Sequence, residues 1–297
     1  MQTYGGDPIP KTATAGHLRL VVGTLFSDCG VPDSMLEADR VLGHVLGVTR
    51  ASLHAHPERT VGEKNFARII ELSIRRAAGE PSAYLIGSSF FCGRSFAVDR
   101  RVLIPRPETE VLASVADRFI KLVGAQGVFA DWCTGSGCIA VTLLADNPGW
   151  RAYAVDASGD ALAVARENAA RYGVSDRLTL IECADPIEAR KIIPVRSLDL
   201  LVSNPPYIPS HELATLETQV RDFEPALALD GGQDGADILR ALLEALPGFM
   251  KPTAPMFFET AGEGQIEAVR HFSRDAVLEK TFADHRDISR FALFAAR

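Results

Sequence analysis

From Val128 onward, apolar runs of strand length alternate with amphipathic runs of helix length, and that alternation leaves few folds open. Residues 128–134, 153–156, 178–183, 198–203 and 256–260 read as strands. Residues 138–145, 160–172, 238–246 and 265–272 read as helices. A helix after most strands brings the next strand back in parallel, so the pattern predicts an α/β fold, a mostly parallel sheet covered by helices on both faces. Residues 278–281 and 291–295 are expected to form a closing hairpin.

The chain upstream has a different texture. Leu18, Val21, Val22, Leu25 and Phe26 recur at helical spacing, as do Leu36, Ala38, Val41, Leu42, Val45 and Leu46. Asp33 and Ser34 are candidates to cap the second of these helices. Phe66, Ile69, Ile70, Leu72 and Ile74 predict a further helix ending near Arg76. No strand-like alternation and no catalytic cluster stands out here, so a small helical bundle is expected. Residues 90–98 read as a short hairpin with a Gly93 turn. In Leu103-Ile104-Pro105-Arg106-Pro107-Glu108-Thr109-Glu110 the two prolines exclude helix interior, and a helix follows to about Val123. The expected division is 1–88, 89–125 (hairpin and linker helix) and 126–297.

The first strand of the alternating region runs into Asp131-Trp132-Cys133-Thr134-Gly135-Ser136-Gly137, and a helix follows. Glycines here let the backbone turn sharply and let a ligand approach closely. Nineteen residues after Gly137 stands Asp156, at the end of the next strand. An acidic residue at that place accepts both hydroxyl hydrogens of a ribose. Asp185 follows the third strand, within reach of an adenine edge. The spacing suits a nucleoside cofactor of either of two kinds, because Ala140 supplies the third small residue of a dinucleotide fingerprint.

Asn204-Pro205-Pro206-Tyr207 favours S-adenosylmethionine over nicotinamide. It ends the fourth strand, where open α/β sheets bind ligands. An amide nitrogen is a poor nucleophile because its lone pair is delocalised into the carbonyl. Two acceptors that take its two N–H hydrogens orient it: the Asn204 side-chain oxygen and the Pro205 carbonyl, whose direction Pro206 stiffens. Tyr207 offers a flat face to the planar group.

Net charge of −7 and a balance of 31 basic against 38 acidic residues argue against a long nucleic-acid track. Cys29, Cys92, Cys133, Cys138 and Cys183 are odd in number and scattered, which predicts neither disulfides nor zinc. No apolar run approaches the roughly 20 residues of a membrane span. Met1 to Pro8 lack a basic, then apolar, leader. A cytoplasmic protein without a metal is expected.

From about residue 15 to the C-terminus the chain resembles the HemK/PrmC family of protein glutamine N5-methyltransferases. The resemblance rests on Glu80-Pro81-Ser82-Ala83-Tyr84-Leu85-Ile86-Gly87, on the Leu103 to Glu110 motif, on Asn204-Pro205-Pro206-Tyr207, on Phe223-Glu224-Pro225 and on Asp230-Gly231-Gly232-Gln233-Asp234-Gly235. It implies a Rossmann-like class I S-adenosylmethionine-dependent methyltransferase domain with a seven-stranded sheet. The smaller N-terminal helical domain would recognise the substrate. The acceptor it implies is the glutamine of a Gly-Gly-Gln loop in a peptide chain release factor, and the product cofactor is S-adenosylhomocysteine. The cofactor residues would be Asp131, Cys133, Thr134, Gly135, Ser136, Gly137, Asp156, Asp185, Pro186 and Asn204. Asn204, Pro205, Pro206 and Tyr207 would hold the glutamine amide, with Arg106 and Glu108 lining the cleft. Cys133 stands where the family has glycine, Pro186 where an aromatic residue is common, and Phe258-Glu259-Thr260-Ala261 where it has Leu-Glu-Ile-Gly. Glu259 would touch the substrate or support the loop. Three other readings stay open: glutamine methylation of a ribosomal protein, amino-methylation of a nucleic-acid base, and a binding protein whose cofactor site has decayed through Cys133.

Overall fold

A computed structural model describes residues 13–297, which divide into two compact units, one ending at Gly87 and the other Ser88–Arg297. The Met1 to Pro8 stretch read above for a leader lies outside the described residues. No helix among the described residues is long and apolar enough to cross a membrane.

The first unit contains β1 (Ala13–Thr14), α1 (Ala15–Asp28), α2 (Ser34–Leu46), α3 (Arg50–Ala55), β2 (Thr60–Val61), α4 (Glu63–Ala77) and α5 (Ser82–Ile86). The helical stripes meet as one core of Leu18, Val22, Phe26, Val41, Leu42, Ile69 and Leu72, all essentially out of water. Two details depart from expectation. A two-residue antiparallel ladder joins β1 to β2 where no strand was foreseen. Asp33 holds the N-cap position of α2 but sits in a left-handed conformation and makes no side-chain capping bond; Ser34 is already helical. The buried carboxylates are each paired: Glu37 with Arg76, Arg40 and Ser82, and Asp39 with Arg19, Arg50 and His54.

The second unit opens with a hairpin, β3 (Ser88–Phe91) and β4 (Arg94–Ala97), and α6 (Pro107–Val123), which carries Pro107 in its first turn, where a missing N–H costs nothing. It continues through β5 (Gly127–Trp132), α7 (Cys138–Asp146), β6 (Trp150–Asp156), α8 (Gly159–Arg171), β7 (Leu178–Glu182) and β8 (Leu200–Ser203). Then come α9 (Thr218–Arg221), α10 (Asp237–Ala245), β9 (Pro255–Glu259), α11 (Glu263–Val269), β10 (Ala276–Ala283) and β11 (Ser289–Ala296). The strand order is β10-β11-β9-β8-β5-β6-β7; β5, β6, β7, β8 and β9 run parallel, and β11 lies antiparallel to both neighbours. This is the mostly parallel α/β sheet that the alternation predicts, with an antiparallel strand pair at one edge. Residues 89–125 fall within the second unit.

Side chains alternate across the sheet as a period of two demands. Trp132, Leu201, Met256 and Phe258 fill the core on one face, with Phe249 and Leu243. Phe129, Leu200, Val202 and Phe257 fill the other, with Leu112, Ile120 and Leu144. The hairpin docks through Asn168 of α8, which is fully buried. Its carboxamide oxygen accepts from Ala97 N at 2.7 Å, while its Nδ2 donates to Ala97 O and Ser136 O.

Candidate active site

The C-terminal ends of β5, β6, β7 and β8 open onto one cavity. Its walls include Trp132, Cys133, Gly135, Asp156, Ser158, Pro186, Asn204 and Pro206, and the segments Arg101-Val102-Leu103 and Leu227-Ala228.

The β5–α7 loop is built from left-handed backbone. Cys133, Gly135 and Gly137 have φ of 59°, 54° and 76°. A side chain on Gly135 would meet nothing within 4 Å, so its backbone faces open space; one on Gly137 would press on Ala165 of α8 at 3.1 Å. The two glycines therefore have separate reasons, access at the first and helix packing at the second. Asp131 is completely buried and does not border the cavity. Its Oδ2 accepts from Thr134 Oγ1 at 2.6 Å and from Ala140 N at 3.0 Å, tying the strand end to the start of α7. Its Oδ1 has no partner among the described residues, and burial pushes its pKa up to about 7. Ser136 is also buried, joined to Asn168 through its carbonyl.

Asp156 closes this side. One carboxylate oxygen accepts from Gly135 N at 2.8 Å and the other from Ser158 N at 3.0 Å. Burial raises its pKa, and these N–H donors hold it down. Each oxygen accepts only one of these bonds, and Asp156 lines the cavity, which suits the paired hydroxyls of a ribose. Asp185 is exposed and its Oδ1 accepts from Ile187 N, capping a short 3-10 turn; Cys183, Ala184 and Pro186 line the cavity beside it. An open glycine backbone, an acidic strand end and an apolar flank fit a nucleoside bearing a charged tail.

The Asn204-Pro205-Pro206-Tyr207 turn leaves β8 beside the glycine loop, since Trp132 and Ser203 are paired at the strand ends. Asn204 Nδ2 donates to Thr109 Oγ1 at 3.2 Å, Thr109 Oγ1 donates to Glu259 Oε2 at 2.8 Å, and the Tyr207 hydroxyl donates to Glu259 Oε1 at 3.4 Å. Glu259 is 1% exposed, and burial, aided by Glu108, pushes its pKa up to about 7. Burial and the Glu259 charge raise the Tyr207 pKa, so the phenol stays protonated. The glycines of Asp230-Gly231-Gly232-Gln233-Asp234-Gly235 back this turn. Ile208 N donates to Leu229 O and Gly231 N to Ile208 O, and a Cβ on Gly231 would stand 2.7 Å from Tyr207 Cα. Gln265 Nε2 bridges Tyr207 O and Gly235 O.

Arg106 and Glu108 do not line the cavity. Arg106 pairs with Glu224 at 2.6 Å, and Glu224 also accepts from Ile104 N at 3.1 Å. The two family motifs are thus clamped together, with Arg100 stacked over Phe223 at 4.7 Å. Glu108 lies 3.8 Å from Arg286. Of the expected residues, Cys133, Gly135, Asp156, Pro186, Asn204 and Pro206 border one space. Thr134, Ser136, Gly137, Pro205 and Tyr207 shape its loops. Sequence reasoning missed Thr109, Asn168 and Ser158. Thr109 stood inside a quoted motif without a role, and the other two carry no local signal.

The PrmC N-terminal domain model matches residues 22–87, and the methyltransferase small domain model matches residues 109–231. A release factor glutamine methyltransferase of Chlorobaculum tepidum is 40% identical over 282 residues, covering 93% of each chain; that of Cereibacter sphaeroides is 40% identical over 257 residues, covering 86% of this chain and 87% of its own. Among solved structures, the hMettl16 catalytic domain in complex with an RNA hairpin has a TM-score of 0.54 at 15% identity, over 80% of this chain and 83% of that one, a likeness of fold alone. With that coverage and identity, this chain belongs to the release factor glutamine methyltransferase family.

Proposed function

We propose that the enzyme methylates the side-chain amide nitrogen (N5) of the glutamine in the Gly-Gly-Gln motif of peptide chain release factors. The reading is carried by one juxtaposition: the Asn204 turn and the Gly135–Asp156 side line a single cavity. S-adenosylmethionine, when bound, supplies a methyl group made electrophilic by its sulfonium.

Asp156 holds the ribose hydroxyls, the Gly135 backbone approaches the charged tail, and the 185–186 turn borders the adenine. Asn204 Oδ1 and the Pro205 carbonyl each accept one hydrogen of the glutamine amide. That aims the nitrogen lone pair at the methyl and favours its pyramidal form. Positioning of this kind supplies several kcal/mol without a strong base. Pro206 restrains the Pro205 carbonyl, and Tyr207 packs on the planar amide. Arg106 and Glu108 border the approach of the protein loop from the start of α6. The net charge of −7 is in keeping with a substrate that is not nucleic acid.

The test is mass spectrometry of recombinant release factor after incubation with isotopically labelled donor. The expected result is one added methyl on the Gly-Gly-Gln glutamine, with a rate about 100- to 1,000-fold lower for Asn204→Ala, as for loss of a preorganised hydrogen-bonding group. Methylation elsewhere, or full turnover in the variant, would reject the assignment.

A further inference from the structure

We propose that Glu259 and Thr109 are positioning residues that decide which way round the Asn204 carboxamide faces, so that its oxygen and not its nitrogen meets the substrate amide. This rests on the reading of Asn204 as an acceptor for the glutamine N–H.

A carboxamide is nearly symmetric in shape, and half a turn about its last bond exchanges oxygen for NH2 at small steric cost. The two ends are chemical opposites: only the oxygen accepts. Asn204 therefore needs a neighbour that distinguishes them. That neighbour is Thr109 Oγ1, 3.2 Å from Asn204 Nδ2. A hydroxyl is ambiguous by itself, since it donates and accepts, so the choice must be made one step further on. Thr109 Oγ1 lies 2.8 Å from Glu259 Oε2, and the Tyr207 hydroxyl 3.4 Å from Oε1. An ionised carboxylate has no hydrogen to give. Both hydroxyl hydrogens must run toward it, which leaves Thr109 only a lone pair for Asn204, and only an N–H can meet a lone pair. The direction of the chain is set at Glu259 and relayed through one hydroxyl, turning Asn204 Oδ1 to the opposite side.

Protonation reverses the relay. The Glu259 O–H donates to Thr109, the Thr109 hydrogen turns to Asn204, and the carboxamide is drawn round to offer its oxygen inward. The groups facing Glu259 are Thr109 and Glu108 from α6, Tyr207 from the turn after β8, and Arg290 from β11, itself paired with Asp284. Burial and Glu108 favour the protonated form; Thr109, Tyr207 and Arg290 favour the ionised one, and the balance falls at about 7. The active orientation is therefore present above that pH and is lost as pH falls through it.

The test combines kinetics with carbon-13 NMR of the Glu259 carboxyl in the full-length enzyme without donor. The turnover number at saturating donor should rise with pH, with a midpoint matching the NMR titration. Thr109→Val should lower it about 10- to 100-fold, as for a misaimed reactive group, with donor affinity unchanged by calorimetry. Thr109→Ser, which keeps the hydroxyl, should restore most of it. Glu259→Gln should remove the acid limb and leave a lower, flat rate. The relay is overturned if Thr109→Val keeps the parent rate, if Thr109→Ser is no better than Thr109→Val, or if the acid limb survives in Glu259→Gln. Asn204→Ala separates the two ideas. An inert Asn204→Ala beside a fully active Thr109→Val removes only the relay, whereas an active Asn204→Ala removes the function reading and the relay with it.

Discussion

The two loops that leave the paired ends of β5 and β8 and line one cavity solve opposite problems. The β5–α7 loop presents backbone, and three of its five positions from Cys133 to Gly137 adopt left-handed φ. The turn after β8 presents a side chain and a carbonyl, and two prolines remove its freedom. A loop that must come close to a ligand loses Cβ atoms, and a loop that must aim an acceptor loses torsions. The rigid turn also borrows glycines. Gly231 and Gly235 lie against Tyr207 because any side chain there would collide with it.

Substitutions that give either loop the other's character test this contrast. The largest effect is expected at Gly135→Val, which puts a branched side chain at φ of 54° into the open space of the cavity. Strain of about 1–2 kcal/mol should appear in urea unfolding. Calorimetry should show donor affinity lowered by more than about tenfold, since at least 1.4 kcal/mol of contact is blocked. Unchanged affinity would mean that the donor does not lie against this backbone. Gly231→Ala should act on the other loop, because its new Cβ stands 2.7 Å from Tyr207 Cα. Overpacking of about 1–3 kcal/mol should lower the turnover number while donor affinity holds; a fall in affinity alone would break the division of labour. Cys133→Gly should do least. It relieves left-handed strain of about 1–2 kcal/mol but adds about 0.4–1 kcal/mol of unfolded-state entropy. A net gain of about 0–1.6 kcal/mol is expected, measured by the same urea titration.

Cys133 also shows how far the sequence could be read. Its difference from the family glycine was visible, and the strand-to-helix turn around it was placed correctly from Gly135 and Gly137. The sheet was legible because its strands are short apolar runs with period-two burial, as in β8 and β9. The helical first unit was legible from three stripes, though the unused Asp33 cap was not. Residues 208–236 resisted, since prolines and 3-10 turns leave no periodicity to count. Thr109 and Glu259 were each in view, but 150 residues separate them. No local pattern announces that two such residues share a hydrogen. Asp185 follows the third strand, and its Oδ1 caps the turn that begins there.

The Glu224 clamp has a consequence for how the enzyme comes into being. It joins Ile104 and Arg106 to a carboxylate about 120 residues later in the chain, so closing it means ordering a long stretch of polypeptide first. During synthesis, the early-made wall of the pocket has to wait for its anchor. A half-made protein can already bury the first strands of its sheet, but it holds no finished mould for a donor. Competence thus waits on the stretch of chain that follows β8.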